Sequence, residues 1–128
     1  MTTATLKTFA KNYDRNFILL LEDWGRWERT AAKVQGWGKG RSDPPHFVDD
    51  KTAMIINECA GKIKSHSPGL FEILRWRYIQ DLDDEEIFFL LKKRLKGDKN
   101  ARYLRISLVD VTVEKVSRLL YEELRGVM

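Results

Sequence analysis

YIQDLDDEEIFFLL, residues 78–91, carries the strongest local signal in the chain. Asp83 is placed to cap a helix. Glu86, three residues later, is placed to reach back to the cap amide, which predicts a capping box. Ile87, Leu90 and Leu91 then recur at helical spacing, so the sequence predicts a helix starting at about Asp84. A second stretch, SLVDVTVEKVSRLLYEEL at residues 107–124, repeats the logic. Ser107 is the expected N-cap, with Asp110 at the third helical position, where a carboxylate favours free amides. Val109, Val113, Val116, Leu120 and Leu124 form one apolar stripe, and Lys115, Arg118 and Arg125 fall on another face. A short capped helix followed by an amphipathic helix with a basic outer face fits a helix-turn-helix unit, and a plain helical hairpin is the alternative.

The connection between the two helices favours the first reading. Residues 92–105 carry Lys92, Lys93, Arg94, Lys96, Lys99, Arg102 and Arg105 against Asp98 alone, a net +6, whereas the whole chain is only +4. The remainder therefore sums to −2 and the basicity is local. A phosphate backbone selects such a concentration of positive charge, and a solvated lysine-rich loop is the other reading.

The rest of the 128 residues sets the frame. The length fits one domain with one core. Hydrophobic residues make up 43% of the chain, and no apolar run approaches the length of a bilayer crossing. The N-terminus lacks the apolar run of a secretory signal. Cys59 is the single cysteine, so neither an internal disulfide nor a multi-thiolate zinc site forms within one chain, which fits a reducing cytoplasm. No nucleophile–base spacing, phosphate-binding glycine loop or dinucleotide fingerprint is present, and the acidic run 81–86 lacks the spacing of a calcium loop. The expectation is a non-enzymatic protein with no cofactor, no metal and no small-molecule substrate.

In chain order, residues 1–14 read as a flexible arm and residues 15–80 as a helical core, with the helix-turn-helix unit at 81–128. Phe17, Leu20, Leu21, Trp24, Trp27, Ala31 and Val34 keep a helical period over 15–34. Gly25, between the two tryptophans, implies close packing against another element. Residues 35–50, QGWGKGRSDPPHFVDD, read as a loop in which Trp37 is a candidate partner contact or a lid on the core. A second helix follows over 50–65, capped by Asp49 or Asp50, with Ala53, Ile56, Ala60 and Ile63 inward. A third starts at Ser67–Pro68 with Leu70, Phe71, Leu74 and Tyr78 inward. Only 103–106 suggests a short extended piece.

Several of these stretches resemble one family. LEDWGRW, residues 21–27, is similar to the tryptophan-rich helix of the Q-type late antitermination proteins of lambdoid phages, on the branch without a zinc finger. DDKTAMIINECAGKIK, residues 49–64, resembles that family's second helix, and LFEILRWRYIQDLDDEEI, residues 70–87, the entry to its DNA-reading unit. That unit is in turn similar to sigma region 4, with Ile106, Ser107, Thr112 and Val113 fitting its later helix. The 92–106 connection departs from the tight turn of that pattern. The resemblance implies an all-α fold and a protein of a bacterial host cytoplasm. It would bind double-stranded DNA beside a late promoter and load onto host RNA polymerase and its sigma factor, so that transcription passes terminators. On this reading residues Lys92, Lys93, Arg94, Lys96, Lys99, Arg102, Arg105, Ser107, Val111, Lys115 and Arg118 face DNA. Asp84 and Glu85, repelled by phosphate, face the polymerase together with Trp37. A DNA-recognising subunit of a phage packaging motor, or another phage late activator, is the competing class.

Overall fold

The structure, a computed structural model, describes residues 3–34 and 47–127. Among them every regular element is helical: α1 (Thr3–Phe9), α2 (Arg15–Val34), α3 (Asp50–His66), α4 (Pro68–Leu74) running into a π-helical segment (Arg75–Ile79), α5 (Asp84–Arg94), a 3₁₀ turn (Lys99–Tyr103) and α6 (Ile106–Val127). Trp37 and residues 35–46 of the glycine-rich loop lie outside the described residues.

Local chemistry starts most of these helices where the sequence predicts. The Asp14 carboxylate accepts from the amides of Asn16 (3.0 Å) and Phe17 (3.3 Å) and opens α2. Asp49, rather than Asp50, caps α3 by accepting from Thr52 N at 2.9 Å. The capping box of α5 is complete: Glu86 N donates to Asp83 Oδ1 (2.8 Å) and Asp83 N to Glu86 Oε1 (3.1 Å). The last helix differs. It begins at Ile106, with Leu108 N donating to Arg105 O at 2.9 Å, so Ser107 lies inside its first turn and is not the cap. The extended backbone at Leu104 (φ −68°, ψ 130°), which closes the 3₁₀ turn, delivers the chain into the helix before the serine is reached.

The apolar stripes meet in one core. Phe17, Leu20, Leu21 and Trp24 of α2, Ala53, Ile56, Cys59, Ala60 and Ile63 of α3, Leu74, Trp76 and Tyr78, Ile87 of α5, and Val109, Val113, Val116, Leu120 and Leu124 of α6 are all buried. Burial of this kind, at about 25 cal/mol per Å² of apolar surface, is the main force holding the helices together. Helix α6 packs against α3, α4 and α5 at once.

Two findings correct or sharpen the sequence reading. Residues 3–10 are not a frayed arm: Leu6 and Ala10 are buried, and the Phe9 ring stacks on Phe47 at 5.0 Å. A helix this short is marginal by itself and depends on that docking. The close approach expected at Gly25 is made to the π-helical segment. A Cβ at Gly25 would fall 1.8 Å from Tyr78 O, so only glycine fits. One turn on, Arg29 Nη1 donates to Tyr78 O (3.2 Å) and Ile79 O (2.9 Å), satisfying carbonyls at the helix end. The chain then reverses through Asp81 at φ +57°.

The buried side chains of Asp23 and Ser117 are paired. Fully buried Asp23 accepts from Phe47 N (2.7 Å) and Val48 N (2.8 Å) and meets Arg26, fixing where the chain re-enters the core ahead of α3. The Ser117 hydroxyl donates to Val113 O (2.7 Å), so the Tyr78 hydroxyl, 2.7 Å from Ser117 Oγ, must be the donor in that pair.

Candidate nucleic-acid interface

The cationic run of residues 92–105 spans the last turn of α5, a turn with Gly97 at φ +90°, and the 3₁₀ helix. A left-handed residue at that point is easy only for glycine. Asp98, the single acid of the run, is used locally: its carboxylate accepts from Asn100 N at 2.8 Å and starts the 3₁₀ helix. It forms no ion pair among the described residues, so its neighbours keep their charge free.

All seven cations are exposed. Among the described residues only Arg94 forms an ion pair, 3.7 Å from Glu72, and its guanidinium also lies 4.9 Å from the Trp76 ring centroid. Lys92 sits over Phe88, Lys93 over Phe89 and Arg102 over Tyr103 at 5.5, 5.3 and 4.8 Å. Arg105 donates to the carbonyls of Arg102 and Leu104, which orders the segment without neutralising it. Lys96 and Lys99 are exposed and make no such contact among the described residues. A group of exposed, uncompensated cations raises the local potential and is felt by a polyanion over about a Debye length, ~8–10 Å.

Burial of Val109, Val113, Val116, Leu120 and Leu124 turns the opposite side of α6 outward. Val111 is 61% exposed, and Ser107, Leu108, Lys115 and Arg118 are exposed beside it. Lys115 has no ion pair among the described residues. Arg118 is engaged: its guanidinium lies 4.3 Å from the Tyr13 ring centroid and pairs with Glu114 at 3.5 Å. Burial raises the pKa of the Tyr13 phenol, helped by Glu114 and opposed by Arg118.

The acidic start of α5 divides. Glu85 is exposed, as the sequence predicts. Asp84 is half-buried rather than free to point outward, because Arg77 Nη1 reaches its Oδ1 at 3.3 Å. The same Arg77 also donates to Leu82 O at 3.2 Å. Arg94, Arg118 and Asp84 are thus already partly satisfied within the fold, whereas Lys96, Lys99, Lys115 and Glu85 are not.

A cleft of about 590 Å³ lies between α2, the turn around Asp81 and α6. Four arginines line it, but Arg15 pairs with Glu22, Arg26 with Asp23 and Arg77 with Asp84, and Arg29 holds two carbonyls. Each of these arginines thus has a partner within the fold. No group of three or more histidine, cysteine, aspartate or glutamate residues is arranged to hold a metal ion among the described residues, and none of their helices is long and apolar enough to cross a membrane.

Sequence reasoning assigned no role to Tyr103. It is 58% exposed, at the end of the 3₁₀ helix, with Arg102 Nη2 donating to its hydroxyl at 2.7 Å. The available signal was an aromatic inside a cationic run, and the expectation of an extended piece at 103–106 obscured it. Comparison with known proteins adds no relative: no family model matches the chain, and neither does any curated protein or solved structure.

Proposed function

We propose that this chain is a non-enzymatic, DNA-binding transcription factor of the antitermination type, with α5 and α6 acting as a helix-turn-helix unit like sigma region 4. Double-stranded DNA lies along residues 92–105 and across the outer face of α6, where Ser107, Val111 and Lys115 meet the groove and Arg118 sits at the edge. Host RNA polymerase with its sigma factor engages the acidic start of α5 through Glu85 beside Asp84, and Trp37 is assigned to the same partner from the sequence alone. The work is steric and allosteric and needs no cofactor. The observation that supports this reading is the state of the cationic run: seven exposed cations, one ion pair. Ring faces and carbonyls order several of these cations, but among the described residues a carboxylate neutralises only Arg94.

Two measurements test it. The first is the salt dependence of binding to duplex DNA from the promoter region of the same genome. Changing Lys92, Lys96 and Lys99 to Gln should lower the slope of log K against log salt by about one for each phosphate that is no longer neutralised. Arg94 is left intact because it holds Glu72. An unchanged slope refutes the DNA-facing assignment. The second is transcription through an intrinsic terminator in a reporter carrying that promoter. Glu85→Lys should keep DNA binding, since it removes a like charge from the vicinity of phosphate, and should abolish read-through. Read-through at the wild-type level in this variant refutes the polymerase-facing role of Glu85.

A further inference from the structure

The cationic run also holds one exposed aromatic ring, Tyr103, and duplex DNA has no use for it, because the faces of its bases are already stacked. We propose that the turn at residues 96–105 is a binding site for single-stranded nucleic acid, with the Tyr103 ring as the surface on which an unpaired base stacks.

Four observations carry this. Tyr103 is more than half exposed although it sits on a helix end only a few residues from the core helix α6. An exposed ring inside a cationic segment offers a face on which an unpaired base can stack. Its orientation is fixed. Arg102 lies over the ring at 4.8 Å and donates to its hydroxyl at 2.7 Å. One face of the ring is thus occupied by a cation, and a base stacking on the other would complete a base–tyrosine–guanidinium sandwich. A ring held in place also loses little rotamer freedom on binding. The support beneath it is ordered: Asp98 caps the 3₁₀ helix and Arg105 holds the carbonyls of Arg102 and Leu104. Finally, Lys96 and Lys99 belong to the same short segment, are exposed and have no ion pair among the described residues, so they supply positive charge for a phosphate backbone. A basic segment with an exposed aromatic face suits strands whose bases are unstacked, and it is tolerant of sequence because every base has a π-face.

The inference goes beyond duplex reading by α6 and does not rest on it. The test uses the purified full chain and fluorescence anisotropy with three labelled probes of about 12 residues, within the range of known single-strand site sizes: oligothymidylate, oligouridylate and a DNA duplex. Tyr103→Ala should weaken binding to the single strands about 5- to 150-fold, the loss corresponding to one stacked base. It should leave duplex affinity and its salt slope unchanged, because no charge is removed. Tyr103→Phe keeps the ring but removes the hydroxyl that Arg102 holds, and should weaken single-strand binding far less than Tyr103→Ala. Circular dichroism checks that both variants retain their helices. Binding of either single strand with this pattern supports the site, and a preference between the two identifies DNA or RNA as the strand. The proposal is overturned if Tyr103→Ala leaves single-strand affinity unchanged, if it weakens single strands and duplex alike, or if the wild type binds the duplex but neither single strand.

Discussion

Replacing Gly25 by alanine separates local propensity from tertiary constraint, because the two predict opposite signs. Gly25 lies inside α2, where alanine is favoured by about 1 kcal/mol. The packing argues the other way. The new Cβ would sit 1.8 Å from Tyr78 O and 2.7 Å from Tyr78 C, which are backbone atoms of the π-helical segment and cannot rotate aside. Helix α2 and that segment must separate, and overpacking of this kind costs about 1–3 kcal/mol. Separation also loosens the two hydrogen bonds from Arg29 to Tyr78 O and Ile79 O, at about 1 kcal/mol each. With the propensity gain subtracted, Gly25→Ala should destabilise the protein by about 2–4 kcal/mol. Urea unfolding followed by tryptophan fluorescence reads this directly, since Trp24 is buried next to the site. The expected result is a lower midpoint at unchanged m-value. A variant as stable as the wild type, or more stable, refutes the close contact between α2 and the π-helical segment.

Other predictions follow from paired polar groups. Asp23→Ala should cost about 3–5 kcal/mol in the same unfolding assay, because Phe47 N and Val48 N lose their acceptor and Arg26 its partner; a loss below about 1 kcal/mol would show that water replaces the carboxylate. Ser117→Ala should cost about 1–3 kcal/mol by leaving the buried Tyr78 hydroxyl without an acceptor. Adding Tyr78→Phe should then cost less than it does in the wild type, and additive losses would argue against the pair. Asp49→Ala should cost about 1 kcal/mol at neutral pH through loss of the α3 cap. The bond from Thr52 holds the Asp49 carboxyl below its ordinary pKa. A depressed folded-state pKa means stability that is present above the ordinary aspartate value and lost as pH falls through the lowered one. The gap between wild type and variant should therefore close in acid, and a gap that persists at low pH counts against the cap.

Much of the helical layout was legible because its causes are short-range. Asp83 and Glu86 needed only each other to form a capping box, and the stripes of α2, α3 and α6 follow from a period of about 3.6 residues. Even Gly25 announced a close approach, since a glycine inside a tryptophan-bearing helix needs a reason. What it approaches could not be read, because Tyr78 lies far along the chain. For the same reason α1 was missed: its few apolar residues look too sparse for a helix until Phe47 and the core are present to cover them. Ser107 looked like a cap because serine favours that position, but the extended backbone at Leu104 starts the helix one residue earlier.

The charges show the division most clearly. Sequence alone determined that the positive charge is concentrated in residues 92–105, since counting requires no coordinates. Only the tertiary structure decided which of those charges are free. Glu72 and Trp76 engage Arg94, Tyr13 and Glu114 engage Arg118, and Arg77 engages Asp84, while Lys96, Lys99, Lys115 and Glu85 remain open to solvent. A side chain's charge is a property of the residue, but its availability depends on neighbours that folding brings from elsewhere in the chain.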